Sequence, residues 1–289
     1  MRRRLDPDRL RDQAYVVAAY HFLLGMAPDE EGLRNYLRHL RAGTRTRTSM
    51  VSEMRGLDDW WLQRVLDPHI SMHLSRKLWV RELPVARRIL DLGGTDQNSS
   101  DGALLALGYP YEFDLLAIVD LPPDERHELY GTAFAGRVET RLGPVEYHHR
   151  SMSDLGDFED GSFDLVFSGQ SIEHVPEDEA DVVLAEARRV LRPGGHLYVD
   201  TPNGLACGLQ LSGSGQLVTN PDHDIEYTPA GLRAKLERAG LVVEVERGLN
   251  WLPESFATGT FSFEELARNV GVFSDVDRCY LLAYGCRRD

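Results

Sequence analysis

The chain has 289 residues, enough for one large domain or two modest ones. It is 42% hydrophobic and 27% charged, the balance of a globular protein rather than a disordered or fibrous one. Its net charge of −14 is uneven: residues 1–90 hold 17 Lys/Arg against 11 Asp/Glu, and residues 91–289 hold 15 against 35. The asymmetry predicts two regions with different jobs, and the acidic region argues against a nucleic-acid substrate.

The chain opens on MRRRLDPDRL, charged and with no apolar core behind it, so no secretory signal is expected. The apolar stretch 14–27 is broken by His21 and is too short to span a bilayer. Three cysteines, Cys207, Cys279 and Cys286, have no C-x-x-C spacing and an odd count. That disfavours a disulfide framework or a thiolate zinc site and fits a reducing, cytoplasmic location.

Residues 1–66 read as a helical accessory domain. Ala14, Val17, Ala18, Phe22 and Leu23 recur at helical spacing, and Leu33, Tyr36, Leu37 and Leu40 form a second stripe. GMAPDEEG and AGTRTRTS break the pattern, and a third helix is expected over 50–66. The basic residues here are scattered and suit a solvated face better than a nucleic-acid patch. The stretch YHFLLGMAPDEEGLRNYLRHLRAGTRTRTSMVSEM, with its G-x-x-P-D-x-x-G-L core, resembles a helical domain of unknown function in bacterial proteins linked to surface glycans, similar to phycobilisome linkers. The resemblance supplies no catalytic residue and implies a docking or homo-oligomerisation module.

Asp67-Pro68 ends that region, and a connecting helix is expected within 67–85. From Ala86 the character changes. RRILDLGG, FDLLAIVDL, FDLVFSG and GHLYVDTPN are short buried-strand patterns, and EDEADVVLAEARRVLRPGG between the last two is a helix. Strands alternating with helices predict an α/β fold with a parallel, doubly wound sheet over 86–289. VEYHHRSM is a further strand in which His148 and His149 alternate, EYTPAGLRAKLERAGLVVEVERGLNW adds a helix and a strand, and RCYLLAYGCR is the last strand. Segments 205–224 and 252–277 read as long loose connections, of the kind that become lids or substrate walls.

In an open parallel sheet the ligand sits beyond the carboxyl ends of the strands. The first of these ends supplies Asp91, Gly93 and Gly94, and glycines let a backbone approach a ligand closely. The second ends in Asp120, placed to accept ribose hydroxyls. Ser153 and Asp154 follow the third, and Ser168 and Gln170 end the fourth.

ILDLGG, DGSFDLVFSGQSIEHV and ARRVLRPGGHLYVDTPN together resemble the class I S-adenosylmethionine-dependent methyltransferases over 86–289. The resemblance implies a Rossmann-like, seven-stranded sheet with an antiparallel last strand. It implies S-adenosyl-L-methionine as cofactor, with Asp91, Gly93 and Gly94 beside its methionine, Asp120 on the ribose, Ser153 and Asp154 near the adenine, and Ser168 and Gln170 beneath the sulfonium. The family's D-x-G-x-G-x-G is altered here: Thr95 and Gln97 stand where glycines are expected.

A sugar hydroxyl is a poor nucleophile until a base takes its proton. His174, just past the fourth strand, suits that work near neutral pH. Asp200 at the end of the next strand would orient its imidazole, a pairing that resembles sugar O-methyltransferases of natural-product pathways. Capping roles remain open for both. His223 is a second base or a substrate hydrogen-bonder, against an ordinary loop histidine. Asp222, Asp224 and Glu226 with Asp200 could bind a divalent cation such as Mg²⁺, which is not favoured. Trp251, Phe256, Phe261, Phe263 and Tyr227 are either a platform for a glycan or core. The expected activity is O-methyl transfer to a sugar, polysaccharide or glycosylated natural product. The alternatives are methylation of another small molecule and cofactor binding without turnover. A short-chain reductase is excluded, because Lys77 and Lys235 are the only lysines and neither has a Tyr four residues before it. Without a Gly-Lys dipeptide a P-loop nucleotidase is excluded too.

Overall fold

The computed structural model describes residues 12–17, 19–20, 27–28, 30–45, 47, 50, 68–96, 99–125, 134–214 and 223–289. The chain separates into two compact units, Met1–Ser71 and Met72–Asp289. In the first, 12–17 and 19–20 are helical and α1 spans Glu30–Arg41. Leu33, Tyr36, Leu37 and Leu40 share one helical face and pack with Val16, Ala19 and Met50. Ala14 is exposed and Val16 takes the buried position; three apolar residues in a row, Val16 to Ala18, leave the phase of the stripe to packing. The expected helix over 50–66 lies outside the described residues apart from Met50.

Helix α2 (Pro68–Val80) begins with a proline at its first position, where no backbone donor is missed. Met72, Trp79 and Val80 belong to the core of the second unit. The sheet that follows consists of β1 (Arg88–Leu92), β2 (Leu115–Asp120), β3 (Gly136–Glu139), β4 (Pro144–His149), β5 (Phe163–Gly169), β6 (Leu191–Pro202), β7 (Leu241–Trp251), β8 (Val272–Phe273) and β9 (Cys279–Arg288). Their order is β3-β4-β2-β1-β5-β6-β9-β7-β8. β4, β2, β1, β5 and β6 are parallel neighbours, and β9 runs antiparallel between β6 and β7. The antiparallel last strand agrees with expectation. The expected seven strands become nine among the described residues, because two short additions pair at the sheet's edges. β3 forms a hairpin with β4, and β8 pairs with Gly248–Leu249.

Both faces of the central strands are buried, which is why they read as unbroken apolar runs rather than alternating ones. Ile89 points into one core with Trp79, Leu104, Tyr198 and Tyr280, and Leu90 and Leu92 point into the other with Val183, Ala187 and Leu236. Helix α3 spans Ala103–Ala106 on the first face. On the second face, α4 (Glu177–Val190) buries Ala180, Val183, Leu184, Ala187 and Val190 at helical spacing. Its acidic first turn and basic last turn complement its dipole.

Neither segment expected to be loose is so where it is described. Residues Gly204–Ser214 form helix α5, whose Ala206, Cys207 and Gln210 are buried, with Gln210 accepting a hydrogen bond from Tyr280. Burial overrides the poor helix propensity of its glycines. Helix α6 (Pro229–Arg238) follows, capped by Thr228. Segment 252–277 holds α7 (Pro253–Thr258), α8 (Phe263–Arg268) and β8. It is fastened to α2 by Gly271 N–H donating to Ser75 Oγ at 3.0 Å. Phe261 and Tyr227 are buried core residues, so the platform reading fails for both. The Trp251 ring is engaged by Phe273, stacked at 5.9 Å, and by the Arg278 guanidinium at 5.8 Å, and is partly buried.

Candidate active site

At the carboxyl end of β1, strand alternation puts Asp91 on the face of Ile89, under α3. Its Oδ2 accepts from Leu104 N–H at 3.3 Å, and its buried Oδ1 has no partner. Burial pushes this carboxyl up to about 8, against the opposing pull of the Leu104 N–H and the Arg76 charge. Gly94 lies directly over it: a Cβ there would come within 2.3 Å of Asp91 Cγ. Gly93 has φ of +71°, and a Cβ would meet the Ser171 side chain at 2.5 Å. Both glycines are therefore demanded by sterics. Thr95 needs no glycine. Its side chain turns inward, 6% exposed, with Oγ1 buried and without a partner, while its N–H donates to Asp120 Oδ2 at 3.3 Å. Gln97 lies outside the described residues.

Asp120 Oδ1 accepts from Leu121 N–H at 2.8 Å, which fixes the carboxylate at the end of β2. Ser168 is buried, and its hydroxyl pairs with Ser171 Oγ, which donates to Leu92 O at 2.7 Å. That chain ties β5 to β1. Ser153 Oγ donates to Glu179 Oε1 at 2.7 Å, and Asp154 is exposed, its Oδ1 accepting from Gly156 N–H. Gln170 has a left-handed φ of 58°, a conformation L residues rarely adopt. Its N–H donates to Asp200 O and its Nε2 to Asp200 Oδ1, at 2.8 and 3.0 Å.

Asp200 differs from expectation. It is fully buried, and its Oδ1 accepts from Arg76 Nε at 2.6 Å as well as from Gln170. The carboxylate is held by a guanidinium rather than by the His174 imidazole. The reason is the strand pleat. Asp200 shares a face with Tyr198, whose ring packs 5.3 Å from Trp79 of α2. Arg76, three residues before Trp79, projects from the same side of that helix. The next residue, Thr201, faces the other way and donates its hydroxyl to Glu173 Oε2 at 2.9 Å. Arg76 Nη2 is buried without a partner, and a Cβ on Gly169 would come within 2.5 Å of it. Arg76 Nη2, Thr95 Oγ1, Asp91 Oδ1 and Asp200 Oδ2 are thus buried polar atoms awaiting partners around the strand ends, which fits a cradle for a zwitterionic methionine.

The opposite side of the strand ends is built from a 3₁₀ turn, Ile172–His174, and the segment 223–228. Asp224 and Ile225 N–H donate to Glu173 O at 2.8 and 3.3 Å, and Gly204 N–H donates to Tyr227 O at 2.8 Å. These bonds bring His223 against His174, ring centroids 4.6 Å apart and nearly perpendicular. His223 Nδ1 lies 2.8 Å from Glu226 Oε1, and the Cys207 thiol donates to Glu226 Oε2. Glu226 therefore engages His223 and Cys207, while Asp200 pairs with Arg76, and Asp222 lies outside the described residues. Beside the rings Glu173 is fully buried, its Oε1 without a partner. Burial raises its carboxyl to about 7, opposed by the charge of His223. The donor atoms of Glu173, His174 and His223 lie within 4.8 Å of one another.

The structure thus gathers His174 and His223 and sets Asp200 apart from them. Arg76 and Glu173 are additions to which the sequence reading assigned no role, and Glu226, expected only as a cation ligand beside Asp200, engages His223 and Cys207 instead. Glu173 had a visible signal, its adjacency to His174. Arg76 had none, since it is meaningful only through its contact with Asp200, 124 residues away.

Residues 126–199 match the methyltransferase domain family, and residues 6–56 match a domain of unknown function, DUF4214. The ubiquinone biosynthesis O-methyltransferase of Xanthomonas euvesicatoria is 30% identical over 173 residues, covering 57% of this chain and 67% of that one. A probable S-adenosylmethionine-dependent methyltransferase of Mycolicibacterium smegmatis is 37% identical over 120 residues, 42% of this chain and 44% of that protein. A SAM-dependent methyltransferase of Thermotoga maritima has the same fold, with a TM-score of 0.51 at 18% identity over 79% of this chain and 95% of that one. Among the described residues no helix is long and apolar enough to cross a membrane. The strand order, the strand-end cradle and the sequence relationship agree, and the chain belongs to the S-adenosylmethionine-dependent methyltransferases.

Proposed function

We propose that the protein methylates the oxygen of an unactivated hydroxyl, of the kind carried by a sugar, a polysaccharide or a glycosylated natural product. The observation that carries this is the His174–His223 pair beside Glu173, with Glu226 on Nδ1 of His223. Bound S-adenosylmethionine supplies the electrophilic methyl group and the leaving group. Asp120 and the Gly93-Gly94 turn would hold it from the β1 and β2 side, and Arg76 with Thr95 would meet its amino-acid end. The imidazole corner would position the acceptor hydroxyl and promote loss of its proton, a contribution of about 10²–10⁴ in rate. A carbon or phenol acceptor needs less help than this corner provides. The acidic balance of residues 91–289 disfavours a polyanionic acceptor.

The second reading is a phenolic acceptor, favoured by the relatives named for ubiquinone biosynthesis. Mass-spectrometric product analysis against matched panels of free sugars, glycosides and catechol-type phenols separates the two. Methylated sugar or glycoside is expected, with turnover falling about 10²–10⁴-fold in His174→Ala while calorimetric cofactor affinity is retained. Methylation confined to phenols replaces the first reading by the second, and full turnover in His174→Ala removes that histidine from the chemistry.

A further inference from the structure

We infer that Glu173, His174 and His223 form a binding site for one divalent cation of the zinc type. One oxygen and two imidazole nitrogens already converge to within 4.8 Å of each other. Ligands on a tetrahedral zinc at bond lengths of about 2.1 Å stand about 3.4 Å apart. Closing the set around an ion therefore takes side-chain adjustments on the order of 1 Å.

Two independent features point to a ligand. Glu173 is fully buried, and only one of its oxygens is satisfied: Oε2 accepts from Thr201, while Oε1 has no partner. A buried carboxylate ordinarily has a cation or a full set of donors; Asp200 nearby has the cation, the Arg76 guanidinium at 2.6 Å. Second, His223 has a carboxylate on its Nδ1, Glu226 Oε1 at 2.8 Å. A Glu226 that accepts from Nδ1–H leaves Nε2 as the ring's acceptor nitrogen. Metal-bound imidazoles are typically oriented in this way. The backbone bonds from Asp224 and Ile225 to Glu173 O hold the two ligand-bearing segments together without the ion.

Two nitrogens and one oxygen suit zinc, cobalt or manganese better than magnesium, which prefers oxygen donors and retained water. Three protein ligands leave a coordination position open, the arrangement of catalytic rather than structural zinc sites. In that position the acceptor hydroxyl would bind through oxygen and release its proton to water. Its lone pair would then form the O–C bond as the C–S bond breaks and that pair returns to sulfur. The role of the ion in turnover rests on the O-methyl-transfer reading; the existence of the site does not.

The test uses the full, tag-free chain stripped by chelator and titrated with Co²⁺, read by its d–d absorption, and with Zn²⁺, read by calorimetry. One equivalent is expected to bind with a tetrahedral or five-coordinate cobalt spectrum. His223→Ala should abolish the band, and Glu226→Gln should weaken binding about 10-fold or more as the loss of an outer carboxylate. Asp224→Asn, beside the site but outside the donor set, should leave it unchanged. Absence of a saturable one-equivalent band, or the same band in His223→Ala, overturns the site. Because no step of the assay needs turnover, a bound ion in a protein that methylates no hydroxyl would uphold the site and refute the acceptor reading. Hydroxyl methylation by a protein that binds no ion would do the reverse.

Discussion

Asp200 and Glu173 are both fully buried carboxylates near the carboxyl edge of the same sheet, each with one oxygen unpartnered, and the fold gives them different kinds of partner. Asp200, on the cofactor side, has a guanidinium at 2.6 Å and an amide at 3.0 Å. Glu173, on the acceptor side, has one hydroxyl donor and two imidazoles nearby. The dividing line runs between Asp200 and Thr201, which the pleat sends to opposite faces of β6. On the cofactor side the Asp200 charge is met by a guanidinium before any ligand arrives, although Asp200 Oδ2 and Arg76 Nη2 keep no hydrogen-bond partner. The acceptor side keeps a carboxyl whose charge depends on what binds beside it.

The strongest way to break this comparison is Arg76→Met, which would leave Asp200 buried beside an amide alone. Removing one partner of a buried pair costs about 3–5 kcal/mol, so a large drop in the urea midpoint is expected. A loss under about 1 kcal/mol would mean that the Asp200–Arg76 pair does not behave as a buried pair. A second lever is Asp91, held up at about 8 from an ordinary 3.8 by burial. Because the folded value is the higher one, its contribution to stability is fully present below pH 3.8 and is lost as pH rises through about 8. Within that window one such group lowers stability by about 1.4 kcal/mol per pH unit. Asp91→Asn should flatten that part of the stability–pH curve; an unchanged slope in denaturation midpoints would show that Asp91 is ionised in the fold. The smallest effect is expected from Thr201→Val, which removes the hydroxyl donor to Glu173 Oε2 at nearly constant volume. A cost of about 1–2 kcal/mol is expected, with cofactor affinity retained. A loss of cofactor affinity equal to that of Arg76→Met would erase the distinction between the two sides.

Much of the cofactor side was legible because it is local. The runs Ile89–Leu90 and Leu116–Val119 are apolar because both faces of a central parallel strand are covered, and Asp91 and Asp120 just past them mark the ligand edge. The acceptor side was half legible. His174 and His223 could each be named, but their pairing depends on backbone bonds from Asp224 and Ile225 to Glu173 O, between segments about 50 residues apart. Helix α5 was missed because GLACGLQLSGS has weak helix propensity, and the burial of Ala206, Cys207 and Gln210 stabilises it. The expected Asp200–His174 contact failed because adjacency of β5 and β6 places two strand ends together without saying which face each side chain takes.

By itself the sequence determined the α/β alternation, the positions of the strand ends and membership of a methyl-transferring family, since periodicity and turn chemistry act over a few residues. Only the tertiary structure decided the partner of each buried charge: Arg76 for Asp200, Thr201 for Glu173, Glu226 for His223. Desolvation makes an unpaired buried charge costly. Which group offsets that cost is set by the three-dimensional meeting of helix α2, strand β6 and the segment 223–228.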